Sequence, residues 1–398
     1  MRFLLFFLVW TGTIGLAFWY VSRRLLNRPQ VPRRLRRRFR ILMFLLFLLI
    51  PLPFFFMVRD AESGLLDTLS WGSFTVMGLF SLLFTGLLLR DLVMLPGALV
   101  GRLRRRGAKG PADKDGPEAP SRREFLLHTS NMAILTGTAV LGTYGFTEAR
   151  RRPRIDEVTI PLAGLPAAFD GFRIVQFSDL HVGLTIKKPV VEEMVEIIGG
   201  LRGDLIAFTG DLVDGSVEWL RDDVAPLRAL SARHGVYFVT GNHEYYSGAE
   251  EWVAHARELG FDVLMNEHRV LRRQNEGIVL AGVTDYTGGD FLKSHVSDPE
   301  AALRGAPAAM PRLLLAHQPR SIDDAARAGV DLQLSGHTHG GQFFPWGAIT
   351  RMGQPYLKGT HRHGGTWIHV NTGCAYWGPP LRLGIPPEIT VVTLRRAV

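Results

Sequence analysis

Long apolar stretches dominate the beginning of the chain: Phe3–Val21, Ile41–Val58 and Ser70–Leu89. Each approaches the ~20 residues that an α-helix needs to cross a bilayer. Pro51 and Pro53 interrupt the second, as spanning helices tolerate when neighbours satisfy the freed carbonyls. A milder run follows Ser121-Arg122-Arg123-Glu124-Phe125-Leu126 and extends to Phe146, diluted by His128, Ser130, Asn131 and several threonines and glycines. From residue 172 the rhythm changes to short, β-rich apolar runs separated by polar stretches of helical period. Strands are predicted over Arg173–Ser178, Asp204–Thr209, Gly235–Thr240, Ile278–Val283, Arg312–Ala316, Asp331–Ser335, Thr366–Asn371 and Glu388–Leu394. Helices are predicted over Lys187–Gly199, Ser216–Ala232, Ala249–Leu259 and Ser321–Ala328. Strands alternating with helices imply an α/β layered domain.

Charge sharpens this division. Residues 1–154 hold 24 Lys and Arg against 9 Asp and Glu, whereas residues 155–398 hold 22 against 28. The net charge of +9 therefore arises in the first part alone. A nucleic-acid binder would carry its positive field on the functional domain, so that class is disfavoured. Arginine runs beside apolar segments instead read as membrane topology. Segment 22–40 has nine arginines and no acid, and is expected on the cytoplasmic side. Segment 59–69, with Arg59 against Asp60, Glu62 and Asp67, is expected outside, and the Arg-rich 90–124 inside. The N-terminus then lies outside, and residues 1–106 form a transmembrane region of three helices. Residues 107–120, small, charged and rich in Pro and Gly, read as a flexible linker. Residues 121–154 resemble a twin-arginine signal retained as an anchor, with Arg150, Arg151, Arg152 and Arg154 as a basic flank. A crossing there puts residues 155–398 on the outer side of the cytoplasmic (inner) membrane. A surface helix instead of a crossing would leave them inside.

The lone cysteine, Cys374, excludes an intrachain disulfide and a cysteine-based zinc site. Histidine is more telling, because 12 of the 13 lie after residue 154. The predicted strands end in Ser178-Asp179-Leu180-His181, Thr209-Gly210-Asp211-Leu212-Val213-Asp214, Thr240-Gly241-Asn242-His243-Glu244, Ala316-His317 and Gly336-His337-Thr338-His339. In open α/β sheets, sites assemble at the carboxyl ends of strands. Imidazole, carboxylate and amide groups gathered there suit a transition metal.

The ordered set D-x-H, G-D-x-x-D, G-N-H-E, H and G-H-x-H resembles the calcineurin-like metallophosphoesterase superfamily. The stretches Gly336–Gln342 and Asn371–Glu388, with the twin-arginine-like segment, look like its bacterial membrane-associated YkuE/YaeI-type branch. The resemblance covers about residues 150–398 and leaves 1–120 outside it. It implies a four-layer α-β-β-α sandwich over 155–398 with two divalent ions (Mn, Fe or Zn) at one edge. Asp179, His181 and His339 would bind the first ion, Asn242, His317 and His337 the second, and Asp211 both. His243 would touch the phosphate and protonate the leaving oxygen, with Glu244 orienting its ring. Asp214 is left out of the ligands, as a cap of the helix near Ser216 or a hydrogen-bond acceptor behind the ligands. The implied chemistry is attack on a phosphoester by a water shared between two dications. Gly215 and Ser216 stand where the superfamily's protein phosphatases carry a phosphate-gripping arginine, which favours diesters or pyrophosphates over phosphoproteins. Tethering points to phospholipid, lipid-linked or envelope substrates. A UDP-2,3-diacylglucosamine-type pyrophosphatase of lipid A assembly is the enzymatic alternative, and a membrane sensor with structural metals the non-enzymatic one. Phe343, Phe344, Trp346, Tyr376 and Trp377 form a candidate apolar rim. His361, His363 and His369 are expected in loops or at the surface.

Overall fold

The structure, a computed structural model, describes residues 2–26, 32–53, 64–107 and 122–397. It divides into two compact units, Met1–Pro53 with Gly72–Tyr144, and Phe54–Trp71 with Gly145–Val398.

The first unit is helical and draws on α1 (Arg2–Leu26), α2 (Arg33–Leu49), α3 (Gly64–Gly107) and α4 (Arg122–Ala149). Its core packs Phe18, Val21, Met43, Ile50 and Leu87 with Phe84 and Ile134 around them. The rings of Phe18 and Phe80 stack at 3.8 Å. A polar knot joins three helices within this apolar packing. Tyr20 donates to Asp91 at 2.7 Å, Arg24 and Arg90 pair with Asp91 at 2.5 and 2.7 Å, and Arg90 also donates to Asn131. Buried charges persist where they are paired in this way.

Among the described residues, Gly64–Gly97 and Glu124–Ala149 are long and apolar enough to cross a membrane. Two boundaries differ from expectation. The second apolar run lies in a helix that begins within the arginine cluster and ends at Leu49, while residues 54–58 lie outside the described residues. The third was expected to yield to a loop after residue 89, yet α3 continues through Pro96 to Gly107. Leu, Met, Ala and Arg are strong helix formers and carry the helix on once the apolar run has ended. At 44 residues it spans ~66 Å, well beyond a ~30 Å hydrocarbon layer. Apart from Gly107, the linker expected at 107–120 lies outside the described residues.

The second unit stacks two six-stranded sheets. One has the order β1 (Arg154–Leu162), β12 (Glu388–Arg396), β2 (Arg173–Phe177), β3 (Leu205–Phe208), β4 (Val236–Phe238), β5 (Asp262–Val263). The other runs β10 (Gly359–His363), β11 (Thr366–Val370), β9 (Leu332–Ser335), β8 (Arg312–Leu315), β7 (Glu276–Gly282), β6 (Glu267–Arg273). Strand periodicity decides what each face meets. Ile278, Leu280, Leu313, Leu315, Leu332 and Leu334 point across to Ile174, Leu205, Ala207 and Tyr237 of the facing sheet. Their neighbours Val279, Ala281, Leu314 and Ala316 point outward to Ala302, Leu303 and Ala325 on flanking helical segments. Burial on both faces explains the continuous apolar runs of the central strands. The unit is a mixed α/β sandwich with helices outside paired sheets.

Four strands were not anticipated. β1, β5, β6 and β10 lie at the ends of the sheet orders, where one side of the ladder needs no partner and polar residues are admitted. Arg154, read as part of the basic flank, instead opens β1 in register with Glu388. The single helix expected over Ser216–Ala232 ends at Val224 and gives way to a 3-10 turn, Ala225–Ala229. Pro226 lacks the N–H that the α-helix would require.

Candidate metal centre

The loops leaving β2, β3, β8 and β9, with the helix that follows β4, bring seven predicted side chains together. Three interlocking groups have all their ligand atoms within 4.8 Å of one another: Asp179, His181 and His339; His181, Asp211 and His243; and Asp211, His317 and His337. In the first, His181 Nε2 lies 3.1 Å from His339 Nε2, which lies 3.4 Å from Asp179 Oδ1. In the third, His317 Nε2 lies 3.1 Å from Asp211 Oδ2 and 3.2 Å from His337 Nδ1. Asp211 Oδ2 also stands 3.7 Å from His181 Nε2, so one carboxylate reaches both ends of the cluster.

The backbone is bent to achieve this. Asp179, His181, Asp211, His337 and His339 all have positive φ, between 48° and 72°. Left-handed backbone at a non-glycine residue costs about 1–3 kcal/mol and persists where the surroundings enforce it, most often at functional sites. Two glycines supply room. A Cβ at Gly241 would collide with the Asp211 carboxylate, and one at Gly336 with Ser178 and Asp179.

The residues present fit divalent ions. His317 Nδ1 contacts the Thr209 carbonyl at 2.7 Å, so this nitrogen carries the proton and Nε2 keeps its lone pair. His181 Nδ1 meets Asp214 Oδ1 at 3.2 Å, fixing the same tautomer. Asn242 Oδ1 is buried with no hydrogen-bond partner, as an oxygen reserved for a cation would be.

His243 sits at the edge of the cluster. Its backbone N–H donates to Asp211 Oδ1 at 2.9 Å, and its Nδ1 meets Asp214 Oδ1 at 2.5 Å. Burial works against a charged ring, but the carboxylates of Asp211 and Asp214 outweigh it and raise the His243 pKa. Asp214 is itself held below the usual carboxylate range: burial opposes this, and His243 and His181 overcome it.

One sequence-based assignment changes here, and one left open is decided. Glu244 does not orient His243. It accepts from the backbone N–H groups of Asp211, Leu212 and Gly241 at 3.0, 2.7 and 2.6 Å, lacing two ligand loops together. From the first turn of its helix, Glu244 folds back on the helix start, as in a capping box. Burial and nearby Asp211 push its pKa up to about 7, with the N–H donors pulling the other way. Asp214 takes the imidazole instead, while Ser216, not Asp214, caps the helix by accepting from Trp219 N–H at 3.3 Å. The G-D-x-x-D spacing carried the signal for Asp214. Arg382 had none: its guanidinium is fully buried, contacts His339 Nδ1 at 3.0 Å, and donates to the carbonyls of Thr372 and Ala375.

Of the remaining histidines, His361 contacts the Lys358 carbonyl and His363 contacts Asp323. His369, expected in a loop or at the surface, is buried on β11 between Thr360 and Thr390. A strand interior looks polar in sequence when its polar side chains satisfy one another. Among the rim aromatics, Phe343 and Tyr376 are buried. Trp377 is 45% exposed, with its ring 5.4 Å from that of His243.

The family model for calcineurin-like phosphoesterases matches residues 172–341. A Danio rerio protein named transmembrane protein with metallophosphoesterase domain is 33% identical over all of this chain and 90% of its own length. An uncharacterized metallophosphoesterase of Helicobacter pylori is 37% identical over 69% of this chain and 73% of its own. The chain belongs to the calcineurin-like phosphoesterase family and is a metal-dependent phosphoesterase. Within that family its relatives include YkuE of Bacillus subtilis, 33% identical over 69% of this chain and 98% of that protein.

Proposed function

We propose that the protein is a membrane-anchored, dinuclear hydrolase of phosphodiester or phosphomonoester bonds in a lipid or cell-envelope substrate. The observation that carries the dinuclear reading is the run of interlocking His and Asp groups through Asp211; the buried, unpartnered oxygen of Asn242, the residue before His243, is a further candidate ligand. Asp179, His181 and His339 would hold one ion and Asn242, His317 and His337 the other, with Asp211 between them. Ions of the Mn, Fe or Zn kind suit this mixed donor set. When bound, the ions supply an activated water and neutralise the phosphoryl oxygens.

The chain's own residues do the rest. Asp214 anchors Nδ1 of His243, which leaves Nε2 as the nitrogen that faces substrate. The raised pKa gives that ring a proton to deliver to the departing oxygen near neutrality. Glu244 keeps the Asp211 and Gly241 loops in register. Exposed Trp377, its ring 5.4 Å from that of His243, offers apolar surface beside the site for a lipid tail, with Phe344 and Trp346 exposed in the segment that follows His339. The arginines of segments 22–40 and 90–124 support a multi-pass topology, and the twin-arginine resemblance of 121–154 favours the catalytic unit outside, although Arg150, Arg151, Arg152 and Arg154 then flank the crossing on the outer side.

Purified full-length protein, loaded in turn with Mn, Zn or Fe, should hydrolyse bis(4-nitrophenyl) phosphate, with two ions per chain by elemental analysis. His317→Ala should lose metal, whereas His243→Ala should keep metal and lose turnover of an alkyl diester, whose leaving oxygen needs the proton, more than that of the nitrophenyl diester. One ion per chain at full activity would refute the dinuclear assignment. A reporter fused after Val398 reads the side of the membrane.

A further inference from the structure

We infer that Arg320, seated on Tyr286, forms a second anion subsite that takes a phosphoryl group of the substrate other than the one being cleaved. The inference rests on the phosphoesterase function proposed above and narrows the substrate class toward pyrophosphate linkages. Arg320 lies three residues after His317, in the loop leaving the carboxyl end of β8. Its guanidinium carbon is 4.2 Å from the centroid of the Tyr286 ring, which comes from the loop after neighbouring β7 and is 42% exposed. Stacking on a ring face leaves the in-plane N–H fork free, and that fork matches two phosphate oxygens.

The charge is otherwise unused. Among the described residues, Arg320 has no carboxylate partner, and its Nε is buried without a hydrogen-bond acceptor. An unmet buried donor is costly unless something accepts from it. The platform beneath is rigid. Arg320 N–H donates to Gln354 Oε1 at 3.1 Å, and Gln354 Nε2 to Gln318 Oε1 at 3.0 Å. Gln318 Nε2 donates to both oxygens of buried Asp285 at 3.0 Å, and Asp285 also accepts from the Thr287 N–H at 2.8 Å and its hydroxyl at 2.6 Å. This chain locks the loops after β7 and β8 together, so little ordering remains to be done on binding.

The subsite adjoins the ligand cluster through the loop after β8, which carries His317, while Tyr246 lines the cluster nearby. The Tyr246 ring packs 5.1 Å from the ring of His243, and Arg320 itself lies three residues after His317 in the same loop. The transferred phosphoryl belongs among the candidate metal ligands. A cation one turn of loop beyond His317 suits the group attached to it. In a pyrophosphate, water adds to one phosphorus and the bond to the bridging oxygen breaks. That oxygen departs with the second phosphoryl and a proton, and Arg320 would hold this half.

The test compares inorganic pyrophosphate with orthophosphate on the full-length, metal-loaded protein at fixed free-metal concentration. Each is measured as a competitive inhibitor of bis(4-nitrophenyl) phosphate turnover and by calorimetric titration. Arg320→Ala should weaken pyrophosphate about tenfold, or ~1.4 kcal/mol, and orthophosphate less than about threefold. Arg320→Lys should fall between, keeping the charge but losing the fork, and Tyr286→Leu should reproduce part of the loss. Metal content must equal that of the parent. Equal weakening of both anions, or no change in either, overturns the subsite. Calorimetry needs no turnover, so failure of the phosphoesterase reading and failure of the subsite give separate results.

Discussion

Replacing Asp214 by Asn isolates what its carboxylate does for His243. The two groups meet at 2.5 Å with side chains only 13% and 12% exposed, so little water competes for the bond. A buried hydrogen bond to a charged partner is worth about 1.5–3 kcal/mol. If all of it serves the transition state, kcat falls about 10- to 150-fold at 1.36 kcal/mol per decade. The pH dependence should move in a defined direction. His243 is raised by Asp211 and Asp214 against the effect of burial, and removing one carboxylate lowers it. The protonated ring exists below its pKa, so the alkaline limb of the kcat profile should shift to lower pH. Leaving-group chemistry sharpens the assay: a nitrophenolate departs without help, whereas an alkoxide needs the proton, so the loss should be larger for an alkyl diester. Asp214 also contacts His181 Nδ1 at 3.2 Å, and metal content must therefore be measured alongside. Asp214→Asn with His243→Ala should be no slower than His243→Ala alone, because groups that act as a unit are not additive. A fully metal-loaded Asp214→Asn with equal losses for both leaving groups and an unmoved alkaline limb would refute the reasoning.

Three further outcomes follow from the geometry. Gly336→Ala places a methyl group against Ser178 and the Asp179 carboxylate, at an overpacking cost of about 1–3 kcal/mol, and should lower both melting temperature and metal content; unchanged metal content would contradict the close approach. Burial pushes the Cys374 thiol up to about 12, so iodoacetamide at pH 8 should modify native protein about a thousandfold more slowly than protein unfolded in guanidinium, and equal rates would show the thiol is accessible and ordinary. Glu388 is lowered although burial opposes it, because His369, Thr390 and Thr372 hold its charged form. Its contribution is present above the ordinary glutamate range and lost as pH falls through the folded value. Glu388→Gln should therefore melt lower than the parent at pH 7, by about 1–3 kcal/mol, with the gap closing near pH 3, and a gap independent of pH would show that charge is not what matters.

What could be read from the chain follows from where each signal is stored. The ligand loops were legible because each lies a residue or two beyond an apolar strand: sheet burial writes the strand and the metal writes the turn. Asp179 and Asp211 are adjacent because β2 and β3 are parallel neighbours in one sheet, and His317, His337 and His339 because β8 and β9 are parallel neighbours in the other, relations that strand-helix alternation already implies; the meeting of the two sets comes from the stacking of the sheets. The partner of His243 was not legible. Glu244 is adjacent in sequence and Asp214 is 29 residues away, yet side-chain direction decides the contest. A carboxylate in the first turn of a helix is drawn to the unpaired N–H groups at the helix start; Gly241 supplies one such group, and the N–H groups of Asp211 and Leu212 from the loop after β3 hold Glu244 there as well. Asp214 arrives from another strand end with only imidazoles to meet. The same logic covers the missed edge strands, such as Glu-His-Arg-Val-Leu-Arg-Arg in β6, whose period is masked because one side needs no partner. It also covers Arg320, an unremarked arginine in a loop until the Tyr286 ring beneath it and the glutamine chain behind it are seen. Local sequence thus records which atoms a loop offers, whereas the choice among nearby charged partners is made by the packing of loops from different strands.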